Sequence, residues 1–403
     1  MIASKWRVLG TLAVAELFAM SLWFSASAVA PQLATVWGLA PEQAGLLTTT
    51  VQFGFVVGAL ASAALTLSDV LPPRYLVAGS ALVGAAATVT LATVVTSPTA
   101  ALTLRFVTGV ALAGVYPPGM KLVAGWFREE RGLAIGTLIG ALTVGSALPH
   151  LLRAVGGIDR PRLVLLGAAA LATVGGVVVL GVRPGPYQSP AAPFDPAAVR
   201  RILRDPPTLL ANTGYFGHMW ELYAVWTWLP VFLTLAYDAS ENPLATPEAA
   251  ALTAFGAIAI GGLGALVAGR ASDIWGRTTV TAASMVLSGL ASLLVGLVYG
   301  ASPLVVVPFV LGWGFVIVAD SAQFSAAVTE LADASYVGTA LTLQTAFGFL
   351  LTVVSIQLTP IVADAIGWQW AFAPLALGPA VGTLAMWRLR GHPSATKLAG
   401  GRG

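Results

Sequence analysis

Residues Tyr215 to Pro230 read YFGHMWELYAVWTWLP. His218 and Glu221 stand three residues apart there, among tryptophans and tyrosines, inside an otherwise apolar run over 208–236. The run is either a core helix of a soluble domain or a helix in lipid, and the choice decides the fold. A helix needs about 20 mostly apolar residues to cross the hydrocarbon of a bilayer. Charged residues make up only 9% of the 403 and hydrophobic residues 57%, whereas soluble domains carry roughly 25% charge. Such a chain cannot cover a water-facing surface, so the solvent for this run is lipid.

Working outward, apolar runs of similar length recur at 8–30, 44–68, 75–97, 100–122, 133–154, 163–182, 249–270, 278–299, 302–328, 337–361 and 370–389. Twelve transmembrane helices are therefore expected. The runs lack strand-like alternation and are about twice the length that a barrel strand needs, so the class is all-α. The first run is too long for a signal-peptide core and is expected to be retained. With the N-terminus in the cytoplasm, sixteen Lys and Arg fall on the cytoplasmic side, and only Arg153, Arg160 and Arg162 fall outside. That asymmetry predicts both termini in the cytoplasm. The expected location is a plasma or inner membrane. The net charge of +3 then reflects topology, and nucleic acid is not an expected partner. The chain has no cysteine, which removes disulfides, thiol catalysis and thiolate metal sites.

The longest polar interruption is RPGPYQSPAAPFDPAAVRRILRDPP, residues 183–207. It is rich in proline and carries four arginines, so a cytoplasmic linker is expected there. Six runs precede it in 1–182 and six follow in 208–390, with a cytoplasmic tail at 391–403. Within the linker, AAVRRILR could form a short amphipathic helix on the membrane surface. The loops SDVLPPR and GRASDIWGR each place an aspartate just after a helix and an arginine shortly before the next. Repeated halves of this kind are common in secondary transporters.

These features resemble the major facilitator superfamily. GRASDIWGR matches its loop signature at Gly269, Asp273, Gly276 and Arg277. The first-half counterpart keeps only Asp69 and Arg74, without the family's glycines. RFVTGVALAG resembles the family's fourth-helix motif at Arg105 and Gly109. YPPGMKLVAGWFREERGLAIG resembles its fourth-to-fifth connection in the nitrate, cyanate and organic-anion branches. The fifth helix lacks the Gly-Pro ending usual in the antiporters, since Leu148 precedes Pro149. The resemblance implies two six-helix bundles, transport by alternating access, and a cytoplasmic latch in which Asp273 pairs with Arg277.

Five ionisable residues fall well inside the expected spans: Glu16, Arg105, His218, Glu221 and Asp320. A charge near a helix centre costs roughly 2.5–3.5 kcal/mol on insertion scales, so these groups should face a cavity or one another. They occupy the first, fourth, seventh and tenth helices. The resemblance implies that these four surround a central substrate cavity. Carboxyl and imidazole groups can load and release protons in such a place. Arginine does not titrate in a usable range, so Arg105 is expected to supply fixed positive charge. His218 and Glu221 share a helix face at this spacing, and they are expected to titrate as one unit. Aromatic walls with a few polar groups are typical of small-molecule pockets. Trp23, Phe24, Tyr116, Trp220, Tyr223 and Trp313 are candidates to line this one.

The leading expectation is a secondary transporter, proton-coupled or facilitative, for a small organic or inorganic anion. Efflux of amphipathic or cationic compounds is the alternative, because three carboxylates outnumber one arginine. A membrane enzyme or a sensor is the remote third class. The sequence has no P-loop, no His-x-x-x-His pair and no Gly-x-Ser-x-Gly turn; without these, catalysis, a metal or a cofactor is not expected. A monomer in the bilayer, with substrate and protons as its partners, is the simplest working unit.

Overall fold

The computed structural model describes residues 2–37, 41–65, 67, 71–127, 131–156, 159–187, 200–332 and 337–403. Helices account for all regular structure among the described residues. Twelve spans make up two six-helix bundles. Span 1 is Ile2–Met20, resumed as Ala30–Trp37; span 2 is Leu46–Ala64; span 3 is Pro73–Thr93. Span 4 is Pro98–Ala113 with Tyr116–Trp126; span 5 is Arg131–Gly156; span 6 is Pro161–Val178. Span 7 is Pro206–Asp238; span 8 is Pro247–Trp275; span 9 is Arg277–Leu294. Span 10 is Pro303–Ala319 with Ser321–Leu331; span 11 is Val337–Ile366; span 12 is Leu377–Arg390. Among the described residues, nine stretches are long and apolar enough to cross a membrane by length and composition. Spans 1, 2 and 7 complete the twelve. Span 7 is the longest helix, at 33 residues, but its apolar character is diluted by Asn212, His218 and Glu221.

Local chemistry fixes where the spans begin. Pro73, Pro98, Pro161, Pro206, Pro247 and Pro303 each open a helix, where the missing N–H is no loss and the fixed φ suits the first turn. Side chains of Ser97, Asp205, Thr246 and Ser302 cap four of these starts by accepting a backbone N–H. Of the AAVRRILR segment, only its end at Arg200–Ile202 is described as helical; residues 188–199 lie outside the described set.

Inside the first bundle, span 2 packs on span 4, and span 6 on spans 1 and 3. Inside the second, span 12 packs on spans 7 and 9, and span 8 on span 10. The bundles meet along span 5 against span 8 and span 2 against span 11.

Three spans are interrupted, and the interruptions position the site. Span 1 leaves the α-helix at Ser21–Ala26. The hydroxyls of Ser21 and Ser25 donate to the carbonyls of Phe18 and Leu22 at 2.6 and 2.9 Å. Backbone bonds there tighten to three-residue steps, such as Trp23 N–H to the Met20 carbonyl at 3.0 Å. Serines that bond their own backbone compete with the helix in this way. Span 4 breaks at Gly114–Val115, just before Tyr116, Pro117 and Pro118. Two consecutive prolines have no N–H to continue a ladder, so the helix restarts there. Span 10 breaks at Asp320.

Candidate substrate and proton site

Arg105 is wholly buried. Its Nε donates to the Leu47 carbonyl at 3.1 Å. Its Nη1 donates to the Leu22 carbonyl at 3.0 Å and to Ser25 Oγ at 3.3 Å, and its Nη2 donates to the Trp23 carbonyl. Unwinding span 1 leaves the Trp23 carbonyl with no backbone donor among the described residues, while the Leu22 carbonyl keeps the Ser25 N–H at 3.4 Å and the Ser25 hydroxyl at 2.9 Å; in lipid the Trp23 oxygen needs a donor. The guanidinium supplies it, and four of its five N–H groups are thereby engaged. Arg105, expected to supply fixed positive charge, has its N–H groups engaged on main-chain oxygens and Ser25, and it clamps the break in span 1 to span 2.

Glu16 lies in the regular part of span 1, 3% exposed. Its Oε1 has no hydrogen-bond partner among the described residues. Its Oε2 sits over Gly119 of span 4, where an added Cβ would come within 2.7 Å of the oxygen. Glycine at 119 is what makes room for the carboxyl group. Tyr116, a turn earlier on span 4 and partly buried, is within electrostatic reach of Glu16.

His218 does not act with Glu221. Its Nδ1 lies 2.9 Å from Asp320 Oδ1, close enough for an ion pair, although the ring N–H is not aimed at that oxygen. Its Nε2 lies 2.6 Å from Ser321 Oγ. The break in span 10 thus brings an aspartate and a serine to the two nitrogens of one imidazole. Tyr215 and Phe324 flank the ring at 6.2 and 5.7 Å. Glu221 points elsewhere. It accepts from Ser288 Oγ at 2.7 Å, Ser292 Oγ at 2.5 Å and Trp313 Nε1 at 3.4 Å. The shared-face pairing of His218 and Glu221 is therefore corrected. Three residues along a helix differ by about 60° in direction, enough to aim one group at span 10 and the other at spans 9 and 10.

The aromatic candidates divide. Trp23 packs on Phe55, Tyr223 and Phe349 at 5.1, 5.8 and 5.3 Å, and Phe24 packs on Tyr223 and Trp226 at 6.1 and 5.9 Å. These rings come from both bundles and close the space between them. Trp313 belongs to the Glu221 cluster, donating also to Ser288 Oγ at 3.2 Å. Trp220 is corrected: it lies against Gly378 of span 12, away from the other candidates.

The loop signature is also built differently from expectation. Arg277 Nη1 lies 3.8 Å from Asp273 Oδ1, and Asp273 is 61% exposed. The close partner is Glu330 of span 10, held by Nε at 2.8 Å and Nη2 at 2.6 Å. Arg277 also donates to Gln323 Oε1 at 2.8 Å, which accepts from Ser272 Oγ at 2.6 Å. Gly276 has φ +92, and the Arg402 carbonyl lies 2.0 Å from where a Cβ would stand. The tail is bound here too, by Ala399 N–H to Glu330 Oε2 at 3.0 Å and by Arg402 to the Asp273 carbonyl. Gly269 begins the same segment, one helical step above Ser272, whose hydroxyl it accepts at 2.8 Å. Arg74 lies over the ring of its neighbour Tyr75. Asp69 lies outside the described residues.

Sequence reasoning missed Ser321, Ser288, Ser292 and Glu330. It also missed a chain of neutral groups, in which Gln344 donates to Asn212 at 3.0 Å and accepts from Ser325 at 3.3 Å. A usable signal existed for one relation. Glu16-Leu-Phe-Ala and Glu221-Leu-Tyr-Ala are 205 residues apart, as are Trp23 and Trp228, and the capping Ser97-Pro98 and Ser302-Pro303.

Residues 12–263 match the family profile described as Major Facilitator Superfamily. The chain belongs to the major facilitator superfamily. Among solved structures it is similar to the nucleoside transporter NupG, solved in a mutant form, with a TM-score of 0.71 at 15% identity, covering 95% of this chain and 99% of that one. At that identity the likeness shows the fold. A search of curated proteins found no match. A superfamily member with this fold is a secondary transporter, integral to a membrane and acting on a small molecule.

Proposed function

We propose that this transporter is proton-coupled and moves a small organic solute without negative charge. One observation carries the reading: Glu16 is a buried carboxyl group with an oxygen that nothing satisfies among the described residues, while Arg105 is already engaged on main-chain carbonyls. An anion would meet Glu16 while the N–H groups of Arg105 are already engaged elsewhere. A proton neutralises the same group, and an incoming solute can bond to it. Ser321, His218 and Asp320 form a second cluster of exchangeable groups in the other bundle, in which a partly exposed hydroxyl bonds the imidazole and a buried carboxyl stands beside it. We read the working unit as a monomer. The excess of Lys and Arg on one side supports cytoplasmic termini in a plasma or inner membrane.

The test is solute-driven proton movement in liposomes. Wild-type protein should acidify or alkalinise the lumen when a transported solute is added, and Glu16→Gln should abolish that signal while downhill solute flux continues. Proton movement unchanged in Glu16→Gln would sink the reading. Export of organic cations is the second reading, favoured by the same unpaired carboxylate; proton signals evoked by quaternary amines and not by neutral solutes would select it.

A further inference from the structure

The closed contact between the bundles leaves a second polar group unmet. Gln52 of span 2 is completely buried, and neither its Oε1 nor its Nε2 has a partner among the described residues. Its position follows from its neighbours on the helix. Thr49, three residues before it, accepts from Gln357 Nε2 at 3.2 Å. Phe55, three residues after it, packs on Phe349 at 4.6 Å and on Trp23 at 5.1 Å. Both contacts are with span 11 or span 1, so the stripe Thr49, Gln52, Phe55 faces the seam between the bundles. Trp23 Nε1 is buried there without a partner among the described residues as well.

The polar atoms of Gln52 and Trp23 thus lie without partners among the described residues, beside rings from both bundles. Trp23 and Phe55 belong to the first bundle, and Tyr223 and Phe349 to the second. Alternating access parts the bundles and opens a slot with rings on both walls. In the closed state the opposing rings substitute for a flat apolar face. Nothing substitutes for a polar edge, and that is why the amide and the indole N–H are orphaned. A primary amide with both atoms free complements a neighbouring donor and acceptor on one edge.

We propose that Gln52, with Trp23 and Phe55, is the outward-facing recognition subsite, and that it takes a flat, uncharged heterocycle bearing an N–H beside a carbonyl. This deepens the transport reading and rests on it. Gln52 would bond the paired edge, Trp23 would add an N–H donor, and the rings would stack on the faces.

Uridine is the probe, because its ring carries an N–H flanked by carbonyls. The full chain in detergent would be titrated with uridine and its apparent unfolding temperature followed, since ligand bound to the folded state raises it. Gln52→Leu keeps the volume and removes both polar atoms. It should weaken uridine binding about tenfold or more, as expected for a lost neutral hydrogen-bond pair, while leaving the ligand-free protein as stable as wild type or more so. Trp23→Phe keeps a ring and should give a smaller loss. If wild type does not bind uridine, or Gln52→Leu binds it equally well, the subsite is overturned. If Gln52→Leu behaves as expected but Glu16→Gln still moves protons, the coupling reading fails and the subsite stands.

Discussion

Replacing Arg105 tests whether this arginine serves a ligand or the fold. The side chain satisfies three main-chain carbonyls, those of Leu22, Trp23 and Leu47, and one hydroxyl, Ser25 Oγ. Each buried carbonyl left without a donor costs about 1–3 kcal/mol. Against that, Arg105→Ala also removes a buried charge, whose desolvation offsets part of the loss. The partners are neutral and the Leu22 carbonyl keeps its Ser25 donors, so the expected net destabilisation is about 1–3 kcal/mol, chiefly from the Trp23 carbonyl. Arg105→Lys keeps the charge, but a single ammonium cannot reach the Leu47 carbonyl on one side and those of Leu22 and Trp23 on the other. It should be intermediate. The assay is the apparent unfolding temperature of each variant in one detergent, read beside transport in liposomes. Arg105→Ala should unfold several degrees below wild type, with Arg105→Lys between them. Had Arg105 served an anion, Arg105→Ala would unfold as wild type does and lose only binding. A wild-type unfolding temperature for Arg105→Ala refutes the clamp.

Three further outcomes follow from the same geometry. A double-mutant cycle on Arg277→Ala and Glu330→Gln should show a coupling of about 1–2 kcal/mol, since the pair is bidentate but partly solvent-screened; Asp273→Asn, measured the same way against Arg277→Ala, should couple weakly. Glu221→Gln turns one acceptor into a donor against Ser288, Ser292 and Trp313, so it should destabilise by about 1–3 kcal/mol and leave the pH profile of transport unchanged, a result read from unfolding and flux together. Gly276→Ala must hold φ +92 with the Arg402 carbonyl in its way, and strain of this kind costs about 1–3 kcal/mol; deleting residues 393–403 should relieve the steric part of that loss, measured by unfolding of the single and combined variants.

Much of the architecture is legible from composition and hydropathy, because lipid forces every backbone group into a helix. The helix starts are legible too, through the six prolines at first positions. The pairings inside the membrane are not. Spacing along span 7 puts His218 and Glu221 within a turn, but their partners are set by which helix packs on which face. Asp320 reaches His218 only because span 10 breaks there, and no glycine or proline adjoins that break. The destination of Arg105 depends on carbonyls that exist only once span 1 unwinds, and two serines are a weak advance signal for that. Arg277 finds Glu330 from 53 residues away, beyond anything a loop motif encodes.

The relation between Glu16 and Glu221 shows why equivalent residues need not do equivalent work. They occupy the same place in the two halves, 205 residues apart. The three donors that satisfy Glu221 are Ser288, Ser292 and Trp313. At the same offset the first half has Val83, Ala87 and Thr108. Valine and alanine have nothing to donate, and the Thr108 hydroxyl is already given to the Leu104 carbonyl at 2.8 Å. One glutamate is therefore tied down by its bundle, and the other is left with an oxygen to offer. The reverse holds for the imidazole cluster. The positions that match His218, Asp320 and Ser321 are Ala13, Val115 and Tyr116, so the first bundle has no counterpart of that cluster. Each bundle thus keeps one group free to change partners, Glu16 in the first and His218 with Asp320 in the second. A carrier that must hand a proton across a moving seam needs an exchangeable group on each side of it. A carboxylate held by three fixed donors on one side would gain little from letting go.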